Sequence, residues 1–115
     1  MVRWCESLYF DHGVGKNIKK VKKQIEKGTI QLSIYCICIA QNPKNLFDIL
    51  NANELLFKYY RRKEIKIIGL ASSRAAAKEM LVEIVGEMYQ NTSSFLVEDY
   101  FNFSEQRKRK AGNDK

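Results

Sequence analysis

Apolar and polar positions along the chain repeat with the period of a strand in some segments and with the period of a helix in others. Runs with strand character cover residues 2–10, 29–40, 46–50 and 64–71. Helical spacing covers residues 16–27 and 73–90, and a shorter helix is predicted over residues 51–60. The predicted order is β-α-β-β-(short α)-β-α. Residues 92–103 follow as a segment that fits a short strand or irregular structure but also admits a helix.

The run TIQLSIYCICIA, residues 29–40, is the strongest strand in the sequence. One predicted face carries Leu32, Ile34, Cys36, Cys38 and Ala40, and the other carries Tyr35, Ile37 and Ile39. Because both faces are apolar, the strand is expected to be central and covered on both sides. The turn residues QNPKN come next, so residues 46–50 are expected to return as the second strand of a hairpin.

The two main helices differ in the width of their apolar stripes. In residues 16–27 a narrow stripe of Ile18, Val21 and Ile25 is surrounded by lysines, and Gly28 is placed to end the helix. In residues 73–90 a full core-facing stripe is predicted, with glutamates on a solvated face. The stripe is Ala77, Leu81, Ile84, Val85 and Met88, and the glutamates are Glu79, Glu83 and Glu87.

These elements predict one α/β (α+β) domain over residues 1–103, with a mixed sheet of four to five strands and two main helices. Two arrangements fit: a ferredoxin-like two-layer sandwich, or a small open sheet carrying the helices. The first β-α-β unit is expected to be right-handed if its strands are parallel. Residues 104–115 form a basic tail that is expected to be disordered in isolation.

The charge of the chain narrows the class of partner. Twenty Lys and Arg against thirteen Asp and Glu give a net charge of +7. Residues 11–30 contribute +4 and residues 104–115 contribute +3, which together equal the whole excess. Such an excess favours an acidic partner, including nucleic acid. The three cysteines, without a secretory leader or a run long enough for a membrane helix, indicate a reducing, cytoplasmic protein with no membrane partner.

Two glycine-containing junctions are candidate anion sites, because the free N–H groups of a helix start attract phosphate. The first is GLASSR, with Ser72, Ser73 and Arg74; the second is HGVGKN, with Gly15 and Lys16. Neither completes a Walker loop or a dinucleotide fingerprint. The favoured interpretation of the first junction is structural: Ser72 or Ser73 caps the helix, and Gly69 lets it approach a neighbouring strand.

The segment FKYYRRK, residues 57–63, interleaves aromatic rings with cations, a composition that suits single-stranded nucleic acid. The candidate contacts are Lys19, Lys23, Tyr59, Tyr60, Arg61 and Arg62. The favoured alternative is that the tyrosines anchor a short helix to the core and the cations cover a loop. One basic surface shared by this segment, the lysine-rich helix of residues 16–27 and the RKRK tail would support nucleic-acid binding.

Metal and catalytic chemistry find little support in the sequence. Cys36 and Cys38 lie on one strand face, but a zinc site would also need Cys5 and the single histidine, His12, to converge on them. Buried core cysteines are the expected outcome, with no metal and no cofactor.

The first functional hypothesis is a small non-catalytic binding or regulatory module with an unknown protein or acidic partner. The alternatives are a non-specific nucleic-acid-binding protein and a small enzyme or sensor of a phosphorylated ligand.

Overall fold

The computed structural model describes residues 2–29, 33–40, 44–57, 60, 63–92 and 100–101. The strands are β1 Val2–Phe10, β2 Tyr35–Ile39, β3 Phe47–Asn51 and β4 Ile65–Ala71. The α-helices are α1 His12–Gly15, α2 Ile18–Lys27 and α3 Arg74–Thr92, and a 3-10 helix spans Ala52–Leu56. Most of the segment 92–103 and the whole predicted tail lie outside the described residues.

The four strands form one mixed sheet in the order β1-β4-β2-β3. β4 runs parallel to β1 and antiparallel to β2, and β2 pairs with β3 as an antiparallel hairpin. The mixed sheet, the hairpin and the central position of β2 are therefore confirmed. Since β4 is parallel to β1 and antiparallel to β2, β1 and β2 run in opposite directions. They therefore do not form the parallel β-α-β unit on which the handedness expectation depended.

The two main helices cover opposite faces of the sheet. Val21 and Ile25 of α2 pack with Trp4 and Cys36 in one core cluster. Ala77 and Ile84 of α3 pack in a second cluster on the other face. Of the two arrangements that the sequence left open, the protein adopts the open sheet with helices on it.

The alternation predicted for the central strand is confirmed. Cys36 and Cys38 lie in the α2-side cluster at 0% and 2% exposure, whereas Ile37 is fully buried in the α3-side cluster. The strand is shorter at its start than the apolar run, since β2 begins at Tyr35. Residues 30–32 of the predicted strand lie outside the described residues.

A short helix lies between β1 and α2. Residues 12–15 form the one-turn helix α1, because the Asp11 side chain accepts a hydrogen bond from the N–H of Val14 and caps it. α2 then begins at Ile18 rather than at residue 16. Gly28 ends α2 as predicted, with a left-handed φ of 78° that favours glycine.

The buried stripe of α3 is rotated from the predicted one. Its most buried members are Ala77, Met80, Ile84 and Met88, while Leu81 and Val85 are half-buried. The cause is the close approach of the helix to β4: a Cβ added at Gly69 would lie 2.9 Å from the Met80 sulfur. Because Gly69 has no side chain, Met80 can pack directly against the sheet. This is the close approach of helix and strand that was predicted for Gly69.

The short helix predicted over residues 51–60 is a 3-10 helix with a complete capping box. The Asn51 side chain accepts from the N–H of Asn53, and Glu54 accepts from the N–H of Asn51 at 2.9 Å. Reciprocal capping of this kind satisfies the unpaired donors of a helix start. Among the described residues, no helix is both long and apolar enough to cross a membrane.

Candidate functional site

The carboxyl ends of the parallel strands β1 and β4 lie at the same edge of the sheet. The two junctions singled out in the sequence follow these strands, so the fold brings them together although they are about sixty residues apart. The helices after the two strands pack on opposite faces of the sheet. In open α/β sheets this divergence creates a crevice, and ligands commonly bind there.

Asp11 joins the two junctions. Its carboxylate accepts from the N–H and the hydroxyl of Ser72, each at 2.8 Å, and from the N–H of Val14 at 2.9 Å. The backbone at Gly13 lies close to the Ser72 side chain, since a Cβ added at Gly13 would lie 3.1 Å from the Ser72 hydroxyl oxygen. The sequence analysis did not single out Asp11, although an aspartate directly after a strand and before a helix start is a capping signal.

The environment of Asp11 keeps its carboxyl ionised. Partial burial alone would raise its pKa, but hydrogen bonds from the Ser72 N–H, the Val14 N–H and the Ser72 hydroxyl outweigh this, and the net shift is downward. The N–H and hydroxyl of Ser72, which were expected to bind an external anion, therefore already donate to the carboxylate of Asp11. For that reason the junction acts first as a structural clasp between α1 and the start of α3.

The remaining predicted anion-site residues lie around this clasp with different contacts. Ser73 caps α3, because its hydroxyl accepts from the N–H of Ala76 at 3.0 Å. The guanidinium of Arg74 lies 5.1 Å from the centre of the Tyr35 ring, in a cation–π contact. Gly15 packs beside the Phe10 ring, and Lys16 is exposed at the end of α1. Anion binding at these five residues stays a prediction.

A second feature is the outer surface of α2, which we call the lysine face: exposed Lys19, Lys20, Lys23 and Lys27. Val21 and Ile25 hold the opposite side of the helix in the core. The nearby carboxylate of Glu26 accepts from the indole N–H of Trp4 at 2.6 Å. Glu26 keeps its negative charge in this contact, but the five lysines of α2 outnumber it, so the helix remains strongly positive.

The 3-10 helix lies beside the end of α2, since a Cβ added at Gly28 would contact Leu56 at 3.3 Å. Phe57 follows with 61% of its surface exposed, although an isolated large aromatic side chain is usually more buried. Tyr60 is half-buried and packs on the same core cluster as α2, as expected of an anchor. The sequence analysis gave Phe57 no role, because the pattern did not show which ring faces outward. Tyr59, Arg61 and Arg62 lie outside the described residues.

The cysteines are separated by the sheet. Cys36 and Cys38 are buried in the α2-side cluster, and Cys5 is buried in the α3-side cluster. Burial raises the pKa of Cys36 to about 12 and the pKa of Cys38 well above its ordinary value. Within the described part of the chain, no three His, Cys, Asp or Glu side chains are grouped closely enough to hold a metal ion.

Comparison of the chain with protein-family models, curated proteins and solved structures gives no match. The class that the observations define is accordingly a structural one: a small α+β domain with an open mixed sheet. Fold class does not specify activity, because the same small architectures carry unrelated functions. The surfaces and cavities of this chain are therefore the features that bear on its function.

Proposed function

We propose that the protein is a small non-catalytic binding module that uses the lysine face to hold an acidic partner, with single-stranded nucleic acid as the favoured partner. The observation that carries the proposal is the position of exposed Phe57 in the same layer as the lysine face. Cations neutralise phosphates, and a solvent-exposed ring stacks on a base. The two features together suit a single strand better than a general acidic surface.

The spacing of the lysines supports contact with an extended chain. Lys19, Lys23 and Lys27 recur every four residues, so they follow one line along α2. At 1.5 Å per residue this line is about 12 Å long. A row of cations of that length contacts successive phosphates of a strand laid along the helix.

The proposal is tested by titrating a labelled single-stranded oligonucleotide with the protein at several salt concentrations. Replacing Lys19, Lys23 and Lys27 by Gln is expected to weaken binding and to reduce the slope of log K against log salt by about 0.7 for each lost phosphate contact. Phe57→Ala is expected to cost about 1–3 kcal/mol with the single strand and to leave duplex binding nearly unchanged.

Lys78→Gln is a control for charge alone, because Lys78 is exposed on α3, on the other face of the sheet. Its salt slope is expected to match the wild-type slope. Equal losses for Lys78→Gln and for single lysine replacements on α2 would show that binding follows net charge and would reject the lysine face as a site. An unchanged affinity in Phe57→Ala would remove the argument for a single strand.

The convergence of the two junctions supports a second candidate, the binding of a phosphorylated small molecule in the crevice beside Asp11. The donors on Ser72 are arranged for an oxyanion, but the carboxylate of Asp11 occupies them in this structure. A phosphate ester that raised the melting temperature of Asp11→Ala more than that of the wild type would support this candidate. No shift in either protein would leave the lysine face as the better proposal.

A further inference from the structure

The edge strand β1 has a large irregularity in its pairing with β4. Trp4 pairs with Ile67, but the next pair is Tyr9 with Gly69. Four residues of β1 are therefore opposite the single residue Ile68. Bulges bend a strand and redirect its side chains, and they are common next to binding sites.

A cavity of about 260 Å³ lies at this bulge, on the α3 side of the sheet. Among the described residues, its lining is Cys5, Ser7, Tyr9, Tyr100 and Phe101. Ser7 is exposed, so the cavity opens to solvent beside a small side chain. An apolar cavity of about 150 Å³ holds one benzene molecule, so this cavity is large enough for a bicyclic ring system.

The described residues of the lining are uncharged, and a carboxylate lies beside them. The Tyr9 hydroxyl donates to Glu87. Desolvation by burial, together with this hydrogen bond and the charge of Glu87, raises the pKa of Tyr9. Burial also raises the pKa of the Cys5 thiol. Neither Lys nor Arg is among the described lining residues, so within this part of the chain no cation offsets the repulsion of an anionic ligand by Glu87.

The rings give the cavity its shape, and Tyr100 also carries a hydroxyl group. Tyr100 and Phe101 pack edge to face, with ring centres 4.8 Å apart. The Asn91 amide donates to the Tyr100 hydroxyl oxygen at 2.8 Å and fixes its position. The hydroxyl hydrogen of Tyr100 can then be donated to an acceptor on a ligand.

We propose that this cavity binds an uncharged, planar, bicyclic heteroaromatic molecule that carries a ring-nitrogen acceptor. The site is independent of the lysine face, because the two lie on opposite faces of the sheet. The two sites also differ in the charge of their ligands: the cavity excludes a negatively charged ligand, whereas the lysine face attracts one.

Quinoline serves as the uncharged bicyclic probe, and quinoline-4-carboxylate serves as the matched anionic control. In a titration of the 115-residue chain followed by amide NMR, quinoline is expected to give saturable shifts clustered at Ser7, Tyr9 and Phe101, with a sub-millimolar Kd. The carboxylate is expected to bind at least tenfold more weakly. Ser7→Leu, which narrows the exposed opening, is expected to weaken quinoline at least tenfold, whereas Ser33→Leu on an exposed site elsewhere leaves it unchanged.

Tyr100→Phe removes only the proposed donor and is expected to weaken quinoline about two- to tenfold. Oligonucleotide binding is expected to be the same in Ser7→Leu and in the wild type, which separates this site from the lysine face. Absence of saturable shifts near Ser7, equal binding of the two probes, or full quinoline affinity in both Ser7→Leu and Tyr100→Phe would overturn the proposal.

Discussion

The clasp formed by Asp11 is expected to contribute a large share of the stability of the sheet edge. Asp11→Ala removes the cap of α1, which is worth about 1 kcal/mol. It also removes two charge-assisted hydrogen bonds to Ser72, which we take at about 0.5 kcal/mol each because Ser72 is exposed. The sum is about 2 kcal/mol, or roughly 8 °C in melting temperature for a domain of this size.

Denaturant unfolding of three variants separates these contributions. Asp11→Asn keeps one side-chain oxygen for Val14 but presents a donor toward Ser72, so about half of the loss is expected. In a double-mutant cycle, Asp11→Ala and Ser72→Ala are expected to couple by about 0.5 kcal/mol, since the Ser72 N–H remains in the serine variant. Glu79→Gln on the exposed face of α3 serves as the control and is expected to change stability by less than about 0.5 kcal/mol.

The pH dependence provides a separate test. The pKa of Asp11 is lowered in the folded protein from its ordinary value of 3.8, so its contribution is present above pH 3.8 and is lost as the pH falls through the folded pKa. The stability difference between the wild type and Asp11→Asn is therefore expected to shrink below pH 3.8. A loss under 0.5 kcal/mol in Asp11→Ala, or a difference that is constant with pH, would refute the clasp.

Three further predictions concern the core. Ile84→Ala is expected to cost about 2–5 kcal/mol and Leu81→Ala distinctly less, because only Ile84 is fully buried; equal losses in chemical denaturation would contradict the observed rotation of α3. Gly69→Ala is expected to cost about 1–3 kcal/mol, since its methyl group would lie 2.9 Å from a methionine sulfur; an unchanged melting temperature would show that the sulfur moves freely. Native-state alkylation of Cys36 and Cys38 at pH 8 is expected to be far slower than alkylation in denaturant, because burial raises both thiol pKa values; rapid labelling of the folded protein, followed by mass spectrometry, would contradict their burial.

Several features of this protein are determined by short segments of the sequence. The two apolar faces of β2 follow from a strand period of two, which depends only on neighbouring residues. Gly28 ends α2 because a left-handed residue at that position is a local requirement. Ser73 caps α3 for a similar reason, since its partner is three residues away. Such features could be predicted because their energies arise within one or two turns of the chain.

The tertiary structure alone decided the strand order, the faces that the helices cover and the grouping of the candidate sites. Asp11 and Ser72 are 61 residues apart and meet because β4 pairs in parallel with β1, which places the carboxyl ends of the two strands side by side. The rotation of α3 depends on a contact between Met80 and Gly69, which lies on another element. The cavity at Ser7 likewise depends on a pairing irregularity between two distant strands. These features depend on how distant elements pack against one another to bury apolar surface. The local periodicity of a segment does not specify which other segment it will pack against.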